Sequence, residues 1–183
     1  MKILLINLCS NSLSELEFVK PLEHILKNHK INFHTKHYTR IKHEDVESSD
    51  KIIVCGTALK DTGFLEDLDW FTPINESDKP VLGVGSSSQA ITKFFNEKLI
   101  GETKIGVFKV TLVKESRLVS KKSFYAYFLT KKIIKPVLLF ETLARVEEIA
   151  CMVKHKRKEI YGCFFHPEVM NQEIILNFAL RIN

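Results

Sequence analysis

At 183 residues the chain can bury one substantial core and is too short for two ordinary domains, so a single domain over residues 1–183 is expected. Hydrophobic residues make up 45% and charged residues 27%, with no low-complexity or Pro/Gly-rich stretch, which excludes a disordered or fibrous chain. The net charge of +5 comes from scattered lysines, and the one cluster, Lys154-His155-Lys156-Arg157-Lys158, lies between two strand-like runs where a solvated turn is expected and nucleic-acid binding is not.

Residues 2–7 form a short apolar run containing polar Asn7, which reads as a buried first strand rather than a signal peptide or membrane span. Ser14-x-x-Glu17 offers a capping box for a helix running to about Asn28, and Pro21 either kinks that helix or opens its regular part. A second strand fits Asn32 to Tyr38. Lys51 to Cys55 is a continuous apolar run ending at Gly56, the signature of a parallel strand covered on both faces. The segment from Phe64 to Phe71 interleaves apolar and acidic residues, which suits a contact patch for a partner or a helical turn packed on the domain.

Residues 80–84 are another buried run, stopping at Gly85, and Ala90, Ile91, Phe94 and Phe95 then recur at helical spacing within 86–96. That is strand, sharp turn, helix. After Gly101 strand candidates follow quickly at 105–113, 123–129, 136–143, 146–153 and 160–165, closed by an amphipathic helix from Asn171 to Leu180. The pattern is that of an α/β fold with a mainly parallel, flavodoxin-like sheet flanked by helices and an added β layer.

Cys9, Cys55, Cys151 and Cys163 sit in or beside apolar runs without C-x-x-C spacing, the pattern of reduced, buried thiols in a cytoplasmic protein rather than of a zinc site. His24, His29, His34, His37 and His43 crowd the first quarter of the chain with no second ligand type at metal-site spacing. They read as surface residues, and neither a metal nor a cofactor is expected.

Three blocks carry chemistry. Tyr161-Gly162-Cys163-Phe164-Phe165-His166-Pro167-Glu168-Val169 resembles the G-V-Q-F-H-P-E-V signature of class I glutamine amidotransferases, in which His and Glu complete a Cys-His-Glu triad. In an extended stretch residues i and i+2 share a side, so Glu168 can hold the imidazole of His166 in one tautomer. Pro80-Val81-Leu82-Gly83-Val84-Gly85-Ser86-Ser87-Ser88-Gln89 resembles the family's nucleophile elbow, P-V-L-G-I-C-x-G-x-Q, with the cysteine position falling on Gly85. An elbow holds its nucleophile at positive φ, which glycine adopts at little cost, so the resemblance implies a turn that survives without its reactive atom. Ser87 also stands where the family keeps a glycine.

The third block, Ile52-Ile53-Val54-Cys55-Gly56-Thr57-Ala58, is similar to the I-I-L-S-G-G-P loop that supplies an oxyanion-hole amide. Gly56 is kept; the second glycine and the proline are not. The resemblance makes Gly56, Thr57, Ser86 and Gln89 the substrate-contacting positions, whereas the segment that usually holds substrate aligns with Phe128-Leu129-Thr130-Lys131 and lacks most of its polar groups.

Length, the lack of a fused synthetase and the run from Val146 to Gly162 look most like the separate glutaminase subunit of archaeal-type GMP synthase. Two functions follow from the resemblance. Without a thiol at position 85 the chain acts as a ligand-binding or partner-regulating subunit. Gly83 to Ser88 bring glycine-relaxed backbone, three hydroxyls and a helix N-terminus to one place, which suits a glutamine-like or anionic small molecule. A synthetase or another protein subunit is the expected partner. The alternative is an active glutaminase that feeds ammonia to a synthetase through a displaced nucleophile: Cys55, Cys163 or one of Ser86, Ser87 and Ser88. The first function has a geometric corollary, a His166–Glu168 dyad facing open space over Gly85.

Overall fold

The computed structural model describes residues 1–135 and 138–182. Its strands are β1 Lys2–Asn7, β2 Asn32–His37, β3 Lys51–Val54, β4 Val81–Val84, β5 Leu99–Leu112, β6 Ser123–Ile134, β7 Phe140–Val146, β8 Ile149–His155 and β9 Ile160–Cys163. Its helices are α1 Ser12–Phe18, α2 Lys20–Asn28, α3 His43–Glu47, α4 Thr72–Glu76, α5 Ser87–Phe94, α6 Pro167–Met170 and α7 Gln172–Arg181.

The strands join one sheet in the order β2-β1-β3-β4-β9-β8-β7-β5-β6. From β2 to β9 the neighbours are parallel. From β9 to β6 they are antiparallel. Every residue of β3, β4 and β9 is buried, because helices cover both faces of the parallel part. Alternate residues of one strand feed different cores. Ile3 and Leu5 pack with Phe18, Leu22 and Phe178, whereas Leu4 and Ile6 pack with Val46, Ile74 and Ile91. The added β layer is the antiparallel half of this same sheet. It curls back until the amide of His166 donates to the Tyr127 carbonyl at 2.8 Å, with Phe124 and Phe128 packed on Phe165.

Several boundaries differ from the sequence reading. The first helix is two helices broken at Val19, and Pro21 sits in the first turn of α2, where its missing amide costs nothing. The cap of α1 is Asn11, whose side chain accepts from the Ser14 amide at 3.0 Å; Ser14 lies inside the helix, so the Ser14–Glu17 box does not form the start. Residues 136 and 137 of the strand expected over 136–143 lie outside the described residues, and β7 begins at Phe140. In the segment Phe64 to Phe71 both terminal phenylalanines are buried and the Trp70 indole donates to the Phe64 carbonyl at 3.1 Å, so the stretch packs on the domain. The basic cluster is a turn held from within: His155 Nδ1 accepts from the amides of Arg157 and Lys158, and Lys158 pairs with Asp78.

Candidate functional site

Parallel sheets of this topology gather ligand sites at the carboxyl ends of their strands. Gly56 follows β3, Gly85 follows β4 and His166 follows β9, and because these strands are neighbours, three segments distant in sequence meet at one edge. Gly85 has φ of +58°, the elbow conformation, and its amide donates to the carbonyls of Cys163 at 2.8 Å and Phe165 at 3.2 Å. The first turn of α5 leaves directly from it, with the Ser88 amide donating to the Gly85 carbonyl.

His166 Nδ1 lies 2.8 Å from Glu168 Oε1, and the two residues are 2% and 4% exposed. The dyad read from the sequence therefore forms. A carboxylate at Nδ1 makes that nitrogen the donor and leaves Nε2 as the basic atom. Nε2 is buried without a hydrogen-bond partner, as is Glu168 Oε2. The open space expected over Gly85 does not exist. A Cβ built on Gly85 would stand 2.5 Å from His166 Cε1 and 2.7 Å from Nε2, and one on Gly56 would stand 2.9 Å from Cε1. The imidazole occupies the volume that a side chain at position 85 would need. The rings of Phe18 and Tyr127 flank it at 5.5 and 6.3 Å. Close packing explains the collapse: a void beside apolar walls forfeits contacts, and the imidazole supplies them.

The three serines of the elbow are committed inside the fold, which removes the expected anion cradle. Ser87 Oγ accepts from the Val84 amide at 2.7 Å and lies 2.8 Å from the Val54 carbonyl. Ser88 Oγ donates to the Cys163 carbonyl at 2.9 Å. Ser86 Oγ accepts from the Thr57 amide at 3.0 Å, so the amide that the oxyanion-type loop presents is already bonded. Gln89 Nε2 donates to Thr130 Oγ1 at 3.1 Å and thereby ties α5 to the 128–131 segment instead of projecting free. Asp61 was not singled out by the sequence. Its carboxylate accepts from Ser10 Oγ at 2.5 Å and Thr57 Oγ1 at 2.7 Å; burial works against ionisation, yet these hydroxyls hold its carboxyl below the usual range. No motif marks Asp61, because its partners come from two separate loops.

A cavity of about 120 Å³ remains beside the elbow, lined by Ser86, Gln89, Asp61, Lys131 and Lys132 among others, and neither Gly85 nor His166 reaches it. Burial pushes Cys9 up to about 11 and holds Cys55 and Cys163 well above the ordinary thiol range, with Glu168 adding to both of the latter. Burial of this kind lowers the thiolate fraction of each. Among the described residues no three His, Cys, Asp or Glu side chains are grouped to hold a metal ion, and no helix is long and apolar enough to cross a membrane.

The family model for glutamine amidotransferase class-I matches residues 14–178 of the chain. Similar solved structures include a protein from Thermoplasma acidophilum named for a GMP synthase subunit, with TM-score 0.80 and 18% identity over 98% of this chain and 92% of that one. A glutamine amidotransferase from Thermotoga maritima matches with TM-score 0.74 and 12% identity, over 99% of this chain and 90% of that one. Another glutamine amidotransferase, from Methylobacillus flagellatus, gives TM-score 0.66 and 12% identity over 98% of this chain and 74% of that one. At these identities the structural likeness establishes the fold.

Proposed function

Because the chain belongs to the class I glutamine amidotransferase family, we propose that it is a member that does not hydrolyse glutamine and works by binding, as a partner-regulating subunit. The observation that carries this reading is the imidazole of His166 lying against Gly85, where an attacking sulfur and its carbon would have to be. Covalent amide hydrolysis needs a nucleophile within hydrogen-bond reach of its base and a free donor for the oxyanion. Here Nε2 faces no hydroxyl or thiol, and the Thr57 amide is taken by Ser86.

The same packing supports a protein partner: the hydroxyls of Ser86, Ser87 and Ser88 and the Gln89 amide, which could hold a glutamine-like ligand, are bonded within the fold. An anion could sit in the cavity beside Ser86 and Gln89, near Lys131 and Lys132, and a synthetase-type subunit or another protein is the partner in this reading.

Ammonia release from glutamine tests the proposal, measured for the unmodified chain and for His166→Ala, alone and with candidate synthetase subunits. The expected result is the same background rate for both chains in every mixture. Electrostatic and binding effects can leave roughly 10³-fold acceleration over water after a nucleophile is lost, so the comparison between the two chains decides, not the absolute rate. Turnover that disappears in His166→Ala would refute the proposal.

A further inference from the structure

The turn that leads into β9 lies at the other end of that strand from His166, and it is built on a second buried imidazole. His155 ends β8 opposite Phe140 and is 4% exposed. Its ring packs against those of Phe95 and Phe140, with centroids 4.7 and 5.3 Å away. Nδ1 accepts from the backbone amides of Arg157 at 3.2 Å and Lys158 at 3.0 Å. A nitrogen that accepts carries no proton, so the imidazole is neutral and its one proton is on Nε2. Nε2 is buried and meets no hydrogen-bond partner among the described residues.

The surroundings also disfavour a charge on this ring. Burial weighs most, and the ammonium groups of Lys158 and Lys154 and the Arg157 guanidinium add to it, so His155 is held below the usual 6.5. Glu97, from the connection between α5 and β5, pulls the other way, but its carboxylate already accepts from the amides of Leu138, Leu139 and Phe140. Phe140 brings no charge from β7. Lys156, the remaining base of the turn, sends its ammonium to the Leu138 carbonyl at 2.7 Å. The acids nearby, Asp78 and Glu159, are paired with Lys158 and Lys154.

A second proton cannot be taken up in place. An imidazolium carries hydrogens on both nitrogens, so a proton on Nδ1 would face two amide hydrogens, and ring and turn must part. That turn holds its basic side chains against the domain. The Lys156 amide donates to the Leu139 carbonyl at 2.8 Å, and the Lys158 ammonium reaches the Asn75 carbonyl at 2.7 Å and the Asp78 carboxylate at 2.8 Å.

We propose that residues 155–158 form an acid-released latch, in which neutral His155 holds the basic turn shut and its protonation frees Lys156 and Lys158 from Leu138, Leu139, Asn75 and Asp78. The device does not depend on whether the chain hydrolyses glutamine. The open turn takes the proton at the ordinary 6.5, and the closed turn only at lower pH. Closure is therefore fully favoured above 6.5 and weakens as pH falls from there toward the closed value, by at most about tenfold per pH unit.

Nitrogen-15 NMR of the full chain tests it. His155 should show the Nε2–H tautomer and titrate below 6.5. Amide exchange is taken relative to the free-peptide rate at each pH. On that scale the protection of the Arg157 and Lys158 amides should fall roughly threefold to tenfold between about pH 7.5 and about pH 5.5. The Cys55 amide, bonded to the Ile6 carbonyl at 2.9 Å, should stay better protected than either at both values, which marks the opening as local. His155→Asn keeps an acceptor for the two amides and cannot titrate, so their protection should persist and its pH dependence disappear. His155→Phe keeps a ring and loses the acceptor, so both amides should be unprotected at either pH. An Nδ1–H tautomer, titration at or above 6.5, or protection that does not change with pH would overturn the proposal. So would turn amides that exchange no faster than Cys55, or an unaltered pH dependence in His155→Asn. The measurements on the unmodified chain decide by themselves where a variant fails to fold.

Discussion

Gly85 combines two constraints that no other residue satisfies together: a φ of +58°, and an imidazole 2.5 Å from where a Cβ would lie. The left-handed conformation costs a residue with a Cβ about 1–2 kcal/mol, and displacing His166 from its contacts adds to that. Gly85→Ala and Gly85→Cys should therefore each lose about 1–3 kcal/mol in urea denaturation. Gly101→Ala is the control, because a Cβ there meets nothing within 4 Å, and should stay within about 0.5 kcal/mol. Gly85→Cys should not by itself restore ammonia release; a stable, active Gly85→Cys would mean that the imidazole swings out freely. At this scale the sequence was informative about the His166–Glu168 pair, since two residues apart in an extended stretch fixes their relation locally. The collapse onto Gly85 was not legible, because it depends on which distant side chain fills the space that glycine leaves. The serines illustrate the same limit. Three hydroxyls are visible in the chain, but the carbonyls of Val54 and Cys163 that use two of them come from other strands.

Among the elements, α7 is held by a contact that no helix propensity reveals. The buried Lys51 ammonium donates to the carbonyls of Phe178 at 3.2 Å and Ala179 at 2.6 Å, and to that of Ile182, completing the last turn. Helix ends leave carbonyls unpaired, and a cation there is favourable both as a donor and against the helix dipole. Lys51→Met keeps the volume and strands those acceptors, so it should cost about 2–3 kcal/mol and speed amide exchange in α7. Unchanged exchange would show that the cap is idle. Strand boundaries were the weakest part of the sequence reading for a related reason. The β7–β8 turn falls at Glu147 and Glu148, with Glu147 at φ of +53°, and no glycine or asparagine announces it. The strands expected at 136–143 and 146–153 placed that turn too early. The runs of β1, β3, β4 and β9 were legible because each is a short, mostly apolar stretch, too short for a helix.

For the whole molecule, the parallel half was readable from its apolar runs, whereas the curl of the antiparallel half was not: alternation along β5 and β6 says which face is inward but not where the ribbon bends. The finished core buries four thiols, and burial holds Cys9, Cys55, Cys151 and Cys163 above their ordinary 9.0, Cys9 at about 11. Because the folded values are raised, the unfolded chain gives up these protons first. The stability they contribute is present in full below pH 9 and is lost as pH climbs through the folded values. Each fully buried thiol loses about 1.4 kcal/mol per pH unit in that window. Unfolding free energies from urea titrations at pH 8 and pH 10 should differ by about 1.4 kcal/mol or more, and a flat profile would contradict thiol burial. The central claim is that no nucleophile works with His166. It is tested most directly by exposing the unmodified chain to a glutamine-mimicking electrophile and locating adducts by mass spectrometry. No adduct is expected at residues 85–88, and none at Cys9, Cys55 or Cys163 beyond what His166→Ala also acquires. An adduct on Cys55 or Cys163 that His166→Ala abolishes would contradict it.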